Sequence, residues 1–113
     1  MVWHLVLMKP RPDLANEDRR ALIGAFDRAC REIPTVREVR VGRRMTLGAG
    51  YEAGVPDAAD YMIAVGFDDR AGLQTYLRHP AHEELGARFR LSLSSAWVYD
   101  FEETRMEDLR IQV

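Results

Sequence analysis

A chain of 113 residues, 47% hydrophobic and 30% charged, is long enough for one domain with a real core and too short for two. Its net charge of -2 excludes a general electrostatic hold on nucleic acid or an anionic membrane, so neither is expected as a partner. The single cysteine, Cys30, rules out an intrachain disulfide, and the opening apolar run is too short to span a bilayer and lacks the features of a signal peptide; the expected location is the cytoplasm.

Val2 to Lys9 is a short apolar run stopped by Pro10 and Pro12, which predicts a first strand. From Asn16 to about Ile33, Leu22, Phe26, Cys30 and Ile33 recur at helical spacing, with Asn16 as the N-cap and Pro34 as the stop. Val36, Val39 and Val41, mixed with Arg37, Glu38 and Arg40, predict a half-polar edge strand ending near Arg44. Met45 to Ala58 carries Gly48, Gly50, Gly54 and Pro56 and reads as a long loop. Asp60 to Phe67 is apolar on both faces, as a central strand is. Asp68 and Asp69 then offer a cap to a short helix carrying Leu73, Tyr76 and Leu77. Pro80 breaks that helix and opens a new one running to about Leu91, leaving His79 at the junction. Ala96 to Glu102 predicts the last strand.

The order β-α-β-β-α-β predicts an α+β fold: a ferredoxin-like protomer with both helical layers on one face of a four-stranded antiparallel sheet. Alternation along the first strand puts Trp3, Leu5 and Leu7 on one face and Val2, His4, Val6 and Met8 on the other, and both faces are apolar. A monomer would wet a large apolar surface, so a homodimer through the open sheet face is expected. Trp3 and Trp97, on neighbouring strands, are read as core or interface anchors. The domain is placed over residues 1–102 and a tail over 103–113, in which Leu109, Ile111 and Val113 alternate like a short strand able to pair with a partner's edge; fraying is the equal alternative.

Val2 to Lys9, Tyr61 to Asp68 and the string Tyr76-Leu77-Arg78-His79-Pro80-Ala81-His82 together resemble the stress-responsive dimeric α/β-barrel (Dabb) family. The resemblance implies a ferredoxin-like protomer paired into a dimeric α/β-barrel. It also implies cofactor-free chemistry, because one plant member closes a linear polyketide by aldol condensation without a cofactor. That member's tyrosine and histidine match Tyr76 and His82, and its first-strand histidine matches His4. Where it carries a third-strand histidine, Tyr61 stands here. Candidate catalytic residues are therefore His82 and Tyr76, with His4, Tyr61 and His79 as candidate substrate contacts.

Physical chemistry supports the pair. A histidine in the first turn of a helix meets the positive dipole end, which favours the neutral ring, and a neutral imidazole can take a proton from carbon beside a carbonyl. A tyrosine hydroxyl can donate to the resulting enolate oxygen. The competing structural reading is that these side chains satisfy buried hydrogen bonds at a helix junction, with His79 as a cap. A zinc site is not expected, since His79 and His82 flank a proline break and no carboxylate stands at ligand spacing. Gly48-Ala49-Gly50 lacks the rest of a phosphate loop. The expectation is a cofactor-independent cyclase or lyase acting on a small apolar, polyketide-like carbonyl compound. Alternatives are a stress-associated dimer that binds small apolar or phenolic ligands without chemistry, and a cofactor-free monooxygenase of the antibiotic-biosynthesis type.

Overall fold

The computed structural model describes residues 1–55 and 58–113. Strand β1 (Val2–Pro10) leads into helix α1 (Asn16–Glu32), then β2 (Val36–Arg43), β3 (Tyr61–Phe67), α2 (Arg70–Arg78), α3 (Pro80–Ser92), β4 (Leu93–Glu102) and a final helix α4 (Met106–Gln112). The sheet is antiparallel in the order β2-β3-β1-β4, the arrangement of a ferredoxin-like protomer. Among the described residues no helix is long and apolar enough to cross a membrane.

The core lies between the sheet and α1–α3, and the pleat decides its membership. Val2, Val6 and Met8 of β1 and Ile63, Val65 and Phe67 of β3 are buried against Leu22, Phe26, Ala29 and Ile33 of α1 and Leu73 and Leu85 of the later helices. The Phe26 and Phe89 rings meet at 5.3 Å where α1 crosses α3, and Arg28 and Glu84 pair across the same two helices.

The opposite sheet face is not covered by α1, α2 or α3. Register places Met62, Leu7 and Trp97 in one row across it, Ala64, Leu5 and Tyr99 in the next, and Gly66, Trp3 and Phe101 in a third. The charged strand residues of this face stand toward its margins, Glu38 and Arg40 on the edge strand β2 and Lys9 near the end of β1. Gly66 is required there: a Cβ would stand 2.9 Å from the Trp3 ring, so only glycine lets the indole lie across β3. The indole N–H donates to Glu103 at 2.7 Å, fixing the ring's outer edge.

Four sequence expectations need adjustment. Asn16 is the first helical residue rather than the cap; Ala15 occupies that place with no side-chain cap, and Glu17 and Asp18 supply the favourable charge at the dipole's positive end. The last strand starts at Leu93, three residues before the expected Ala96, because a bulge between Lys9 and Pro10 brings Leu93 opposite Pro10. The loop contains a 3₁₀ turn over Gly50–Gly54, closed by the Glu52 carboxylate, which accepts from the Leu47 and Ala49 N–H groups. These bonds, with the Leu47 one largest, hold Glu52 below the usual carboxylate range. Pro56, one of the loop's breakers, lies outside the described residues.

The tail is a helix, not a strand. Glu107 and Asp108 in its first turn and Arg110 in its last suit the dipole, and Arg105 binds Asp108. A lone strand would leave its ladder groups unpaired, whereas a helix satisfies its own.

Candidate functional site

Three elements bring His4, Tyr76 and His82 together. The β1 pleat turns His4 toward the helices, where it is 5% exposed. Helix α2, capped by the Asp69 carboxylate accepting from the Gly72 N–H at 2.8 Å, carries Tyr76 on its inner face. The break before Pro80 then restarts the chain so that His82 sits in the first turn of α3. Ring centroids are 5.0 Å apart for Tyr76 and His82, 5.7 Å for His4 and Tyr76, and 6.3 Å for His4 and His82.

The three residues line one cavity of about 190 Å³. Its remaining walls are Val6, Phe26, Leu77, Leu85, Gly86, Phe89 and Val98, so no Lys, Arg, Asp or Glu lines it among the described residues. Leu77 and Val98 are partly exposed and mark its outer side. Tyr76 is wholly buried, and its hydroxyl has no hydrogen-bond partner among the described residues. Burial, helped by nearby Cys30, pushes that hydroxyl far above the usual tyrosine range, so it keeps its proton. The Cys30 thiol is pushed up in turn, by burial first and Asp27 second.

Desolvation lowers the His82 pKa from its ordinary 6.5, and the neighbouring His4 lowers it further; the Leu77 carbonyl and Glu83 act weakly the other way. A neutral imidazole carries one N–H and one free lone pair, so His82 in that form can accept a proton. His4 Nδ1 lies 2.6 Å from Asp100 Oδ1. An ionised carboxylate only accepts, so Nδ1 carries the proton of that bond and the ring orientation is fixed.

Asp100 is the site residue that sequence reading missed. Its signal was present: in β4, Ala96, Val98 and Asp100 alternate onto the face of His4, but an acid there becomes meaningful only once His4 is known to pair with Asp100.

Tyr61 and His79 are not brought to this cavity. Tyr61 stands opposite Met8, at the far end of β3 from Val65, the partner of His4, and lines a separate groove with Leu14, Ile23 and Val41. The His79 ring is engaged in capping α3: Nδ1 accepts from the Ala81 N–H at 3.0 Å. His79→Ala is expected to lose about 1 kcal/mol of stability, the usual worth of an N-cap, read as a lower midpoint in urea unfolding. Among the described residues no group of three or more His, Cys, Asp or Glu could hold a metal ion.

The family model of the stress-responsive A/B barrel domain (Dabb) matches residues 2–103. No curated protein matches the sequence. Among solved structures, an Arabidopsis thaliana protein is 20% identical with a TM-score of 0.77, over 94% of this chain and 98% of its own. A hydroxynitrile lyase from Passiflora edulis is 16% identical with a TM-score of 0.74, over 92% of this chain and 95% of its own. A dimeric ferredoxin-like protein of unknown function from Jannaschia sp. is 24% identical with a TM-score of 0.72, over 90% of this chain and 98% of its own. At these identities the likeness is one of fold.

Proposed function

The chain belongs to the stress-responsive A/B barrel (Dabb) domain family, and from that premise we propose that it is a homodimeric, cofactor-independent enzyme of the cyclase or lyase kind, acting on a small apolar carbonyl compound. The observation that carries this reading is the orphan Tyr76 hydroxyl, buried beside the His82 ring in an apolar cavity. A buried hydroxyl without a partner costs stability. A carbonyl oxygen is the partner its proton suits.

In the proposed reaction the lone pair of His82 takes a proton from the carbon next to the carbonyl, the C–H electron pair moves into the new C=C bond, and the carbonyl oxygen becomes an enolate. Tyr76 donates a hydrogen bond to that oxygen without losing its proton. The enolate carbon then attacks an electrophile, closing a ring, or takes a proton back. Asp100 keeps the His4 ring oriented on the third side of the cavity. The apolar open sheet face supports a homodimer, as does the description of solved neighbours as dimeric.

The test is deuterium uptake from D₂O into 2-indanone, an uncharged ketone with acidic CH₂ groups, followed by proton NMR. Exchange is expected to exceed the buffer rate, to rise with pH through a value below 6.5, and to level off once His82 is neutral. His82→Gln should remove that inflection; exchange at the buffer rate, or an inflection that survives in His82→Gln, contradicts the reading. The same shift has a sign in stability. With the folded value depressed, the unfolded chain takes the proton first, so the His82 contribution is present above pH 6.5 and is lost as pH falls toward the folded value.

A further inference from the structure

Gly86 lies in the middle of α3 (Pro80–Ser92), where glycine is the least favourable residue after proline. Two structural reasons could justify it, a backbone conformation closed to other residues or a neighbour too near for a side chain. Neither applies. Among the described residues the glycine with positive φ is Gly48, and a Cβ built on Gly86 finds nothing nearer than the mobile end of Arg90, at 3.9 Å. Gly66 shows the contrast, since its Cβ would meet the Trp3 ring at 2.9 Å.

What sets Gly86 apart is its place. It follows His82 by one helical turn, and with Leu85 and Phe89 it forms the α3 wall of the cavity. The fold does not need that side chain to be missing, but the cavity's volume does. We infer that Gly86 sets the size of the ligand: the absent side chain is the room beside His82 for a ring-sized, uncharged ketone. An uncharged ligand suits the same walls: no cationic side chain is among their described residues, Arg90 being exposed and outside the lining, and burying a carboxylate unpaired is costly. A longer side chain at this position would occupy the space next to the reacting carbon while leaving His82 and Tyr76 in place. This inference rests on the cavity being the carbonyl site proposed above.

Gly24 supplies the internal control. It too sits inside a helix, α1, with nothing within 4 Å of a built Cβ, and it does not line the His82 cavity. Gly24→Ala and Gly86→Ala should each raise the melting temperature by a few degrees, as removal of a helix glycine does. Titration calorimetry with 2-indanone should separate them. Gly24→Ala is expected to bind as the parent does, Gly86→Ala about two- to threefold more weakly, and Gly86→Leu about tenfold more weakly or worse, in line with overfilling a cavity. In Gly86→Leu the affinity for the smaller butanone should fall by a smaller factor than that for 2-indanone. If Gly86→Leu does not fold, Gly86→Ala carries the comparison.

Equal 2-indanone affinity in the parent and Gly86 variants overturns the inference, and so does failure of the parent to bind the ketone. Binding that weakens as expected, without catalysed exchange, supports the size filter and defeats the enzymatic reading, so the two failures are distinguishable.

Discussion

Tyr76→Phe is expected to be as stable as the parent or slightly more so, yet to exchange 2-indanone about 10²–10³-fold more slowly, the usual loss when one donor to a developing oxyanion is removed. The two signs come from one atom. Tyr76 is 0% exposed and its hydroxyl is unpaired, so folding strips that group of water without replacing the bond, a penalty of about 1–3 kcal/mol. Phenylalanine removes the penalty and keeps the ring, which packs against Phe67 at 5.2 Å as well as against the two histidines. The rate should fall because the hydroxyl, held protonated by burial, is suited to donate and unsuited to act as a base. Thermal melts and NMR exchange on the same samples check both halves. A destabilised Tyr76→Phe would mean that the hydroxyl has a partner after all, and an unchanged rate would remove it from the chemistry.

The strands and the two main helical layers were legible in the sequence because each reports a local pattern. Alternation alone turned His4 inward with Val2, Val6 and Met8, and the proline break placed His82 in a first turn with Tyr76 on the preceding helix. What was not legible depends on register or on the lack of a neighbour. Asp100 becomes a partner of His4 only through the antiparallel pairing of β1 with β4. Tyr61 shares a pleat face with Val65, yet its distance along β3 keeps it from the cavity. Leu109, Ile111 and Val113 alternate as in a strand, but in a segment that pairs with no strand of the sheet the helical bonds of α4 prevail. The loop's closure by Glu52 needs its carboxylate to curl back on Leu47 and Ala49, which no periodicity announces.

Leu5→Asp should dissociate the proposed dimer while leaving the protomer folded. Leu5 sits at the centre of the open face, flanked by Ala64 on β3 and Tyr99 on β4, and makes no part of the core beneath the helices. In a lone protomer an aspartate there stays in water. Between two sheets it would be an unpaired buried charge, which costs about 3–5 kcal/mol and weakens the dimer Kd by at least ~10²-fold. Val41→Asp is the matched control, because Val41 is 74% exposed on the helix side of the edge strand β2 and its charge should leave the Kd unchanged. The readout is built into the face: the chain has two tryptophans, and register places both Trp3 and Trp97 on the open side. Their emission should move to longer wavelength as the parent is diluted through its Kd, whereas Leu5→Asp should show the long-wavelength spectrum at every concentration. Emission that ignores dilution, with a sedimentation coefficient of a single protomer throughout, would mean that Tyr99 and Phe101, each about half exposed, face water in the working protein and that two-fold pairing through this sheet does not occur.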